Sequence, residues 1–126
     1  MICRECKKEV TGGYRKSIIC PNCLKIHRST RHRNLKLEVL TAYGLFCRCC
    51  NEAQYEFLTI DHINPELKLS LLDVGGTLYR RLKKANYPPG FQTLCWNCNT
   101  AKHYYGVCPH EIKRRHEALT ADHLSN

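Results

Sequence analysis

Asp61 and His62 stand side by side between two cysteine pairs, Cys47-x-x-Cys50 and Cys95-x-x-Cys98, and Asn99 directly follows the second pair. These residue types suit phosphodiester hydrolysis. That reaction needs an activated water, a cation on the phosphate and leaving oxygen, and neutralisation of developing charge. Histidine is the side chain best matched to take a proton from water near neutral pH, which makes His62 the candidate general base. Asp61 offers a hard oxygen to Mg²⁺ or Mn²⁺, and the Asn99 amide oxygen can complete the protein's share of that coordination. Asn is also a good helix N-cap, so Asn99 has a structural alternative. Adjacent residues of a regular strand point to opposite faces, so the strand end and the turn at Asn64-Pro65 must position Asp61 and His62.

The cysteines imply a second kind of metal. There are ten in 126 residues. The N-terminus, Met1-Ile2-Cys3-Arg4-Glu5-Cys6, has no apolar signal-peptide core, so a secreted disulfide scaffold is not expected. Cys3-x-x-Cys6 and Cys20-x-x-Cys23, with thirteen residues between the pairs, have the spacing of a zinc ribbon. Pro21-Asn22 and Gly12-Gly13 supply turns for the knuckles. Cys47, Cys50, Cys95 and Cys98 form the second expected tetrathiolate set, with 44 residues between its pairs, so a subdomain must be inserted there. Closed four-thiolate sites are structural, and about two Zn²⁺ are expected per chain. Cys49 is spare or competes with Cys50. Cys108-Pro109-His110 could supply ligands elsewhere, but a single Cys and His are expected as packing or surface residues.

The elements that must hold these groups are short. Lys25 to Leu40 lacks Gly and Pro and reads as a basic helix. Glu56 to Ile60 reads as a strand ending at Asp61-His62. Gly75-Gly76 reads as a loop, with Thr77 capping a helix from Leu78 to Ala85. Tyr87-Pro88-Pro89-Gly90 is a turn, Phe91 to Leu94 a second strand, Trp96 to Tyr105 a helix closed by Gly106, and Pro109 to about Ala121 a last helix, fraying at Ser125-Asn126.

The inserted segment carries a resemblance. From Cys47 to about His110, through CRCC, TIDHI, TLYRRLKKANYPPGFQTLCWNCN and AKHYYGVCPH, the chain resembles the HNH endonucleases, the zinc-bound ββα-metal (His-Me finger) type found among phage and mobile-intron nucleases. The match covers roughly half the chain. It implies an α+β fold: a small zinc-stabilised ββα-metal nuclease domain over residues 43–126, with an N-terminal zinc-ribbon-like module and basic helix over residues 1–42. It implies a general base at His62, a divalent ion held by Asp61 and Asn99, and 5′-phosphate and 3′-hydroxyl products. One position departs. The family's middle Asn, which braces the catalytic loop, falls here at Gly90, so either Asn86, Gln92 or a backbone group substitutes or the bracing is absent.

Charge points to the partner. The formal net charge is +9, and residues 1–40 carry +7 of it. Two Zn²⁺ on eight thiolates contribute a formal −4, so the metal-loaded chain stands at +5, concentrated in the N-terminal module. A polyanion is the expected partner, DNA first and RNA as an alternative. Candidate phosphate contacts are Arg28, Arg31 and Arg33 in the first module, Arg80, Arg81, Lys83 and Lys84 on the insertion helix, and Lys102 and His103 beside Asn99. His103 is otherwise an exposed helix histidine. No segment approaches the roughly 18–20 apolar residues of a membrane span, and an intracellular, cytoplasmic setting is expected. The competing reading is a zinc-ribbon DNA-binding protein without catalysis.

Overall fold

The computed structural model describes residues 1–10 and 18–124. The Gly12-Gly13 turn and the fraying at Ser125-Asn126 lie outside the described residues. The chain is a mixture of helices with one two-stranded sheet, in the order α1 (Pro21–Tyr43), β1 (Leu58–His62), α2 (Gly75–Lys84), β2 (Phe91–Cys95), α3 (Trp96–Tyr105) and α4 (Pro109–Leu124). Among the described residues no helix is long and apolar enough to cross a membrane.

The strands pair antiparallel, from Leu58 opposite Cys95 to His62 opposite Phe91. They are joined by the long α2 segment rather than a tight turn. One face packs on α3, which begins directly where β2 ends. The core gathers Leu58, Ile60, Leu78, Tyr79, Leu82, Phe91 and Leu94 around Cys47, Cys95, Cys98 and Cys108. In α2 the apolar residues Leu78, Tyr79 and Leu82 are the buried ones.

Several element boundaries differ from the sequence reading. α1 begins at Pro21, not Lys25, because proline's fixed φ and missing N–H suit a first helical position. It runs on to Tyr43 and ends at Gly44, whose φ of 133° and N–H to Leu40 O close it. β1 starts at Leu58, after a 3₁₀ turn over Tyr55–Phe57. α2 starts at Gly75 with Val74 as its N-cap, so Gly75-Gly76 is the first helical turn and Thr77 is no cap. Glycine has a use there: a Cβ on Gly76 would lie 3.3 Å from Arg80 Nη1 and 3.4 Å from His32 Nδ1, where α1 crosses α2.

α1 is two-sided in function. Its early turns are exposed and basic, while Val39 and Leu40 have no exposed surface and belong to the core. The core therefore draws residues from both sides of position 42. Lys36 marks the transition. It is buried, its Nζ donates to Tyr55 O at 2.9 Å and lies 4.4 Å from the Tyr55 ring centre, and burial lowers its pKa. Leu40→Ala should cost about 2–5 kcal/mol in urea unfolding, as for other fully buried leucines. A cost under about 1 kcal/mol would show that α1 docks loosely.

Candidate metal centres and polar site

The eight expected cysteine ligands come together as two groups: Cys3, Cys6, Cys20 and Cys23, and Cys47, Cys50, Cys95 and Cys98. Within each group the sulfurs all lie within 4.8 Å of one another. Sulfurs at about 2.3 Å from a tetrahedral zinc stand about 3.8 Å apart. The Cys6–Cys20 and Cys50–Cys95 sulfur distances are each 3.7 Å. The donor sets thus fit structural zinc in both number and spacing.

The two centres are built alike. In the first knuckle Cys3 N donates to Lys8 O, Lys7 N donates to Cys3 O, and Lys7 has φ 61°. In the second, Cys47 N donates to Glu52 O, Asn51 N donates to Cys47 O, and Asn51 has φ 67°. The matching cysteines come from helix starts: Cys20 caps α1 with Cys23 in its first turn, and Cys95 caps α3 with Cys98 in its first turn. Helix N-termini favour thiolates through their unpaired N–H groups and dipole. The centres differ in depth. Cys6 is exposed, whereas Cys47, Cys95 and Cys98 belong to the core.

Burial, together with hydrogen bonds from neighbouring thiols, pushes the Cys98 thiol far up. The neighbours include Cys49 and Cys108 as well as Cys95 and Cys47. Cys108 packs in the core and His110 is exposed, and with Cys49 and Cys98 they form a third group of potential ligands.

The polar groups at the end of β1 form two networks. Asp61 is buried, and its Oδ2 accepts from Gln92 Nε2 at 2.8 Å and from Lys102 Nζ at 2.5 Å. Lys102 Nζ also reaches His62 O at 3.3 Å. Asn99 sits one turn before Lys102 on α3, and its Nδ2 donates to Thr59 Oγ1 at 2.9 Å. Thr59 and Asp61 share a strand face by the two-residue alternation, so Asp61, Asn99 and Lys102 meet on the α3 side. Among the described residues the Asn99 Oδ1, its only metal-ligating atom, has no hydrogen-bond donor. Lys102 already places a positive charge on Asp61.

His62 belongs to the other network. Its Nε2 lies 2.8 Å from Asp73 Oδ2, and its ring packs edge-on to Phe91. Asp73 is only 3% exposed and is gripped by Arg81 through Nε to Oδ1 at 2.9 Å and Nη2 to Oδ2 at 2.6 Å. Burial works to raise the Asp73 pKa, but the Arg81 and His62 hydrogen bonds outweigh it and hold the carboxyl at about 2. Two expectations change here. Arg81, expected as a phosphate contact, turns inward to Asp73 and packs 5.4 Å from the Phe91 ring centre. Strand pairing runs through His62, so the His62 and Asp61 side chains meet different partners on opposite faces, undeflected by the Asn64-Pro65 turn.

No protein-family model, curated protein or solved structure matches this chain.

Sequence reasoning missed Asp73, the group that orients His62. Its signal was present: Asp73 is the only acid between Glu66 and Glu111, in a stretch rich in Lys and Arg. At the place of the family's middle Asn, Gly90 O accepts from Ile63 N at 3.0 Å, next to His62, while Gln92 Nε2 donates to Asp61. The basic candidates separate by environment. Arg28, Arg31, His32 and Arg80 line one groove between α1 and α2. Lys83 is paired with Glu38 at 2.6 Å, and Arg33 lies 5.5 Å from the Tyr55 ring centre. Lys84 and His103 are exposed. Arg48 and Arg114, not singled out from the sequence, line a cleft with Gln92 and Lys102.

Proposed function

We propose that the chain is a divalent-metal-dependent endonuclease of the HNH type acting on DNA. The observation that carries this reading is the pair of buried polar networks at the end of β1, one around Asp61 and one around His62. Burying a carboxylate is costly unless it is paired, and a protein held together by zinc has no structural need for two such sites in so small a core.

In this reading Asp73, itself held by Arg81, fixes the His62 ring through Nε2 and leaves Nδ1 to take a proton from water. An acidic partner also stabilises the imidazolium that results. Asp61 and the Asn99 Oδ1 would hold Mg²⁺ or Mn²⁺, which when bound supplies charge stabilisation at the phosphate and leaving oxygen. Lys102 neutralises Asp61 beforehand and is positioned to pass to a phosphate oxygen. The zinc-bound Cys95 and Cys98 pin the start of α3, and with it Asn99 and Lys102, against β1. The groove of Arg28, Arg31, His32 and Arg80 gives the DNA backbone a second hold.

A second reading, a zinc-stabilised DNA-binding protein without catalysis, has its own observation. The Asp61 and His62 side chains face opposite sides of the sheet, and each is already partnered. Supercoiled plasmid separates the two. Zinc-loaded protein with Mg²⁺ or Mn²⁺ should nick or linearise it. Retarded but intact plasmid under every divalent ion would leave the binder standing.

A further inference from the structure

The second zinc centre has more donors around it than one ion can use. Cys47, Cys50, Cys95 and Cys98 form one group, and Cys49, Cys98, Cys108 and His110 form another, with Cys98 common to both. That makes seven donors, six sulfurs and one imidazole nitrogen. Two tetrahedral ions need eight coordination contacts, and one sulfur shared between them supplies the eighth.

The distances suit this arrangement. A sulfur and a nitrogen on one tetrahedral zinc stand about 3.6 Å apart when Zn–S is near 2.3 Å and Zn–N near 2.05 Å. His110 Nδ1 lies 3.3 Å from Cys98 Sγ, 3.4 Å from Cys108 Sγ and 4.0 Å from Cys49 Sγ, values that bracket it. Cys98 and Cys108 are buried. We propose that Cys47, Cys49, Cys50, Cys95, Cys98, Cys108 and His110 bind two Zn²⁺ as a dinuclear cluster bridged by the Cys98 thiolate, so that the folded chain holds three zinc ions.

Charge balance permits it. The added Zn²⁺ replaces the thiol protons of Cys49 and Cys108, so the net charge of the chain is unchanged. The cluster itself carries a formal −2. Arg114, one turn beyond His110 on α4, answers that charge: its Nη1 donates to Cys49 O at 2.6 Å and its Nη2 lies 3.5 Å from Cys49 Sγ. The cluster also accounts for how α4 is held. Most of the described part of that helix is exposed, and Cys108 just before it, with His110 and Arg114 in its first turns, joins it to the cluster.

Native mass spectrometry of zinc-loaded protein should count three Zn²⁺ in the wild type and two in Cys108→Ser and His110→Ala. His110→Ala keeps all ten cysteines, so it remains informative if Cys108→Ser folds poorly. His110→Cys should restore three. In ¹¹³Cd-substituted protein, two of the three resonances should show mutual scalar coupling through the shared sulfur. A wild-type count of two, a count of three unmoved by both variants, or three uncoupled cadmium resonances would overturn the proposal.

Discussion

Stripping the bound zinc should unfold this chain rather than merely slow it. A small domain has a total stability of about 5–15 kcal/mol, and a structural zinc site contributes about 10–16 kcal/mol of binding free energy at neutral pH. The core here rests on two short strands, and it includes Cys47, Cys95, Cys98 and Cys108 among its buried members. Without the ion, Cys95 and Cys98 no longer tie the start of α3 to the knuckle before β1. Far-ultraviolet circular dichroism during titration with a strong chelator should show helix lost together with zinc. A cooperative thermal melt persisting in excess chelator would sink the idea. The centres should also differ. Cys47→Ser should abolish folding of the whole molecule. Cys6→Ser, at an exposed ligand, should loosen the N-terminal knuckle and leave the core melting cooperatively. Protons compete with zinc for thiolates, so lowering the pH should act in the same direction as chelator.

Replacing His62 by alanine should lower plasmid cleavage by about 10²–10⁴-fold, the usual worth of a positioned general base, with zinc content and DNA retention unchanged. Unaltered cleavage would remove His62 from the reaction. Asp73→Asn tests the group behind it. The neutral amide cannot replace the carboxylate that both His62 and Arg81 engage, so cleavage should fall and its pH profile should move. Stability should respond as well. The folded-state pKa of Asp73, about 2, lies below its unfolded value of 3.8, so its contribution is complete above that unfolded value and is lost as pH falls toward 2. The variant should therefore be less stable by about 2 kcal/mol at neutral pH, with the deficit constant between pH 8 and pH 5. Equilibrium denaturation at several pH values reads this directly. A deficit that varied between pH 8 and pH 5 would mean that the Arg81 pairing is not what supplies the stability.

The two cysteine clusters were legible because their grammar is local. A Cys-x-x-Cys knuckle specifies its own turn, and a positive φ at Lys7 and at Asn51 repeats the same solution twice. The two strands and the helices α2 and α3 were legible for the same reason, through the apolar set of Leu78, Tyr79 and Leu82 and the punctuation at Gly106. Helix starts were less so. Proline at Pro21 and glycine at Gly75 both read as turns, yet each opens a helix once its neighbours pack.

By itself the sequence determined which residues are equipped for metal and for acid–base work: the cysteine pairs, Asp61, His62 and Asn99. It also determined that basic charge gathers in the first forty residues. Only the tertiary structure decided who answers whom. Asp73 reaches His62 across eleven positions, Lys102 reaches Asp61 across forty-one, Arg81 turns inward, and Cys98 stands between two groups of ligands. The physical reason is that residue type and short spacing encode what a group can bind. The partner of a buried charge or a shared thiol is chosen by how the chain closes around a core, and that closure depends on contacts far apart in sequence.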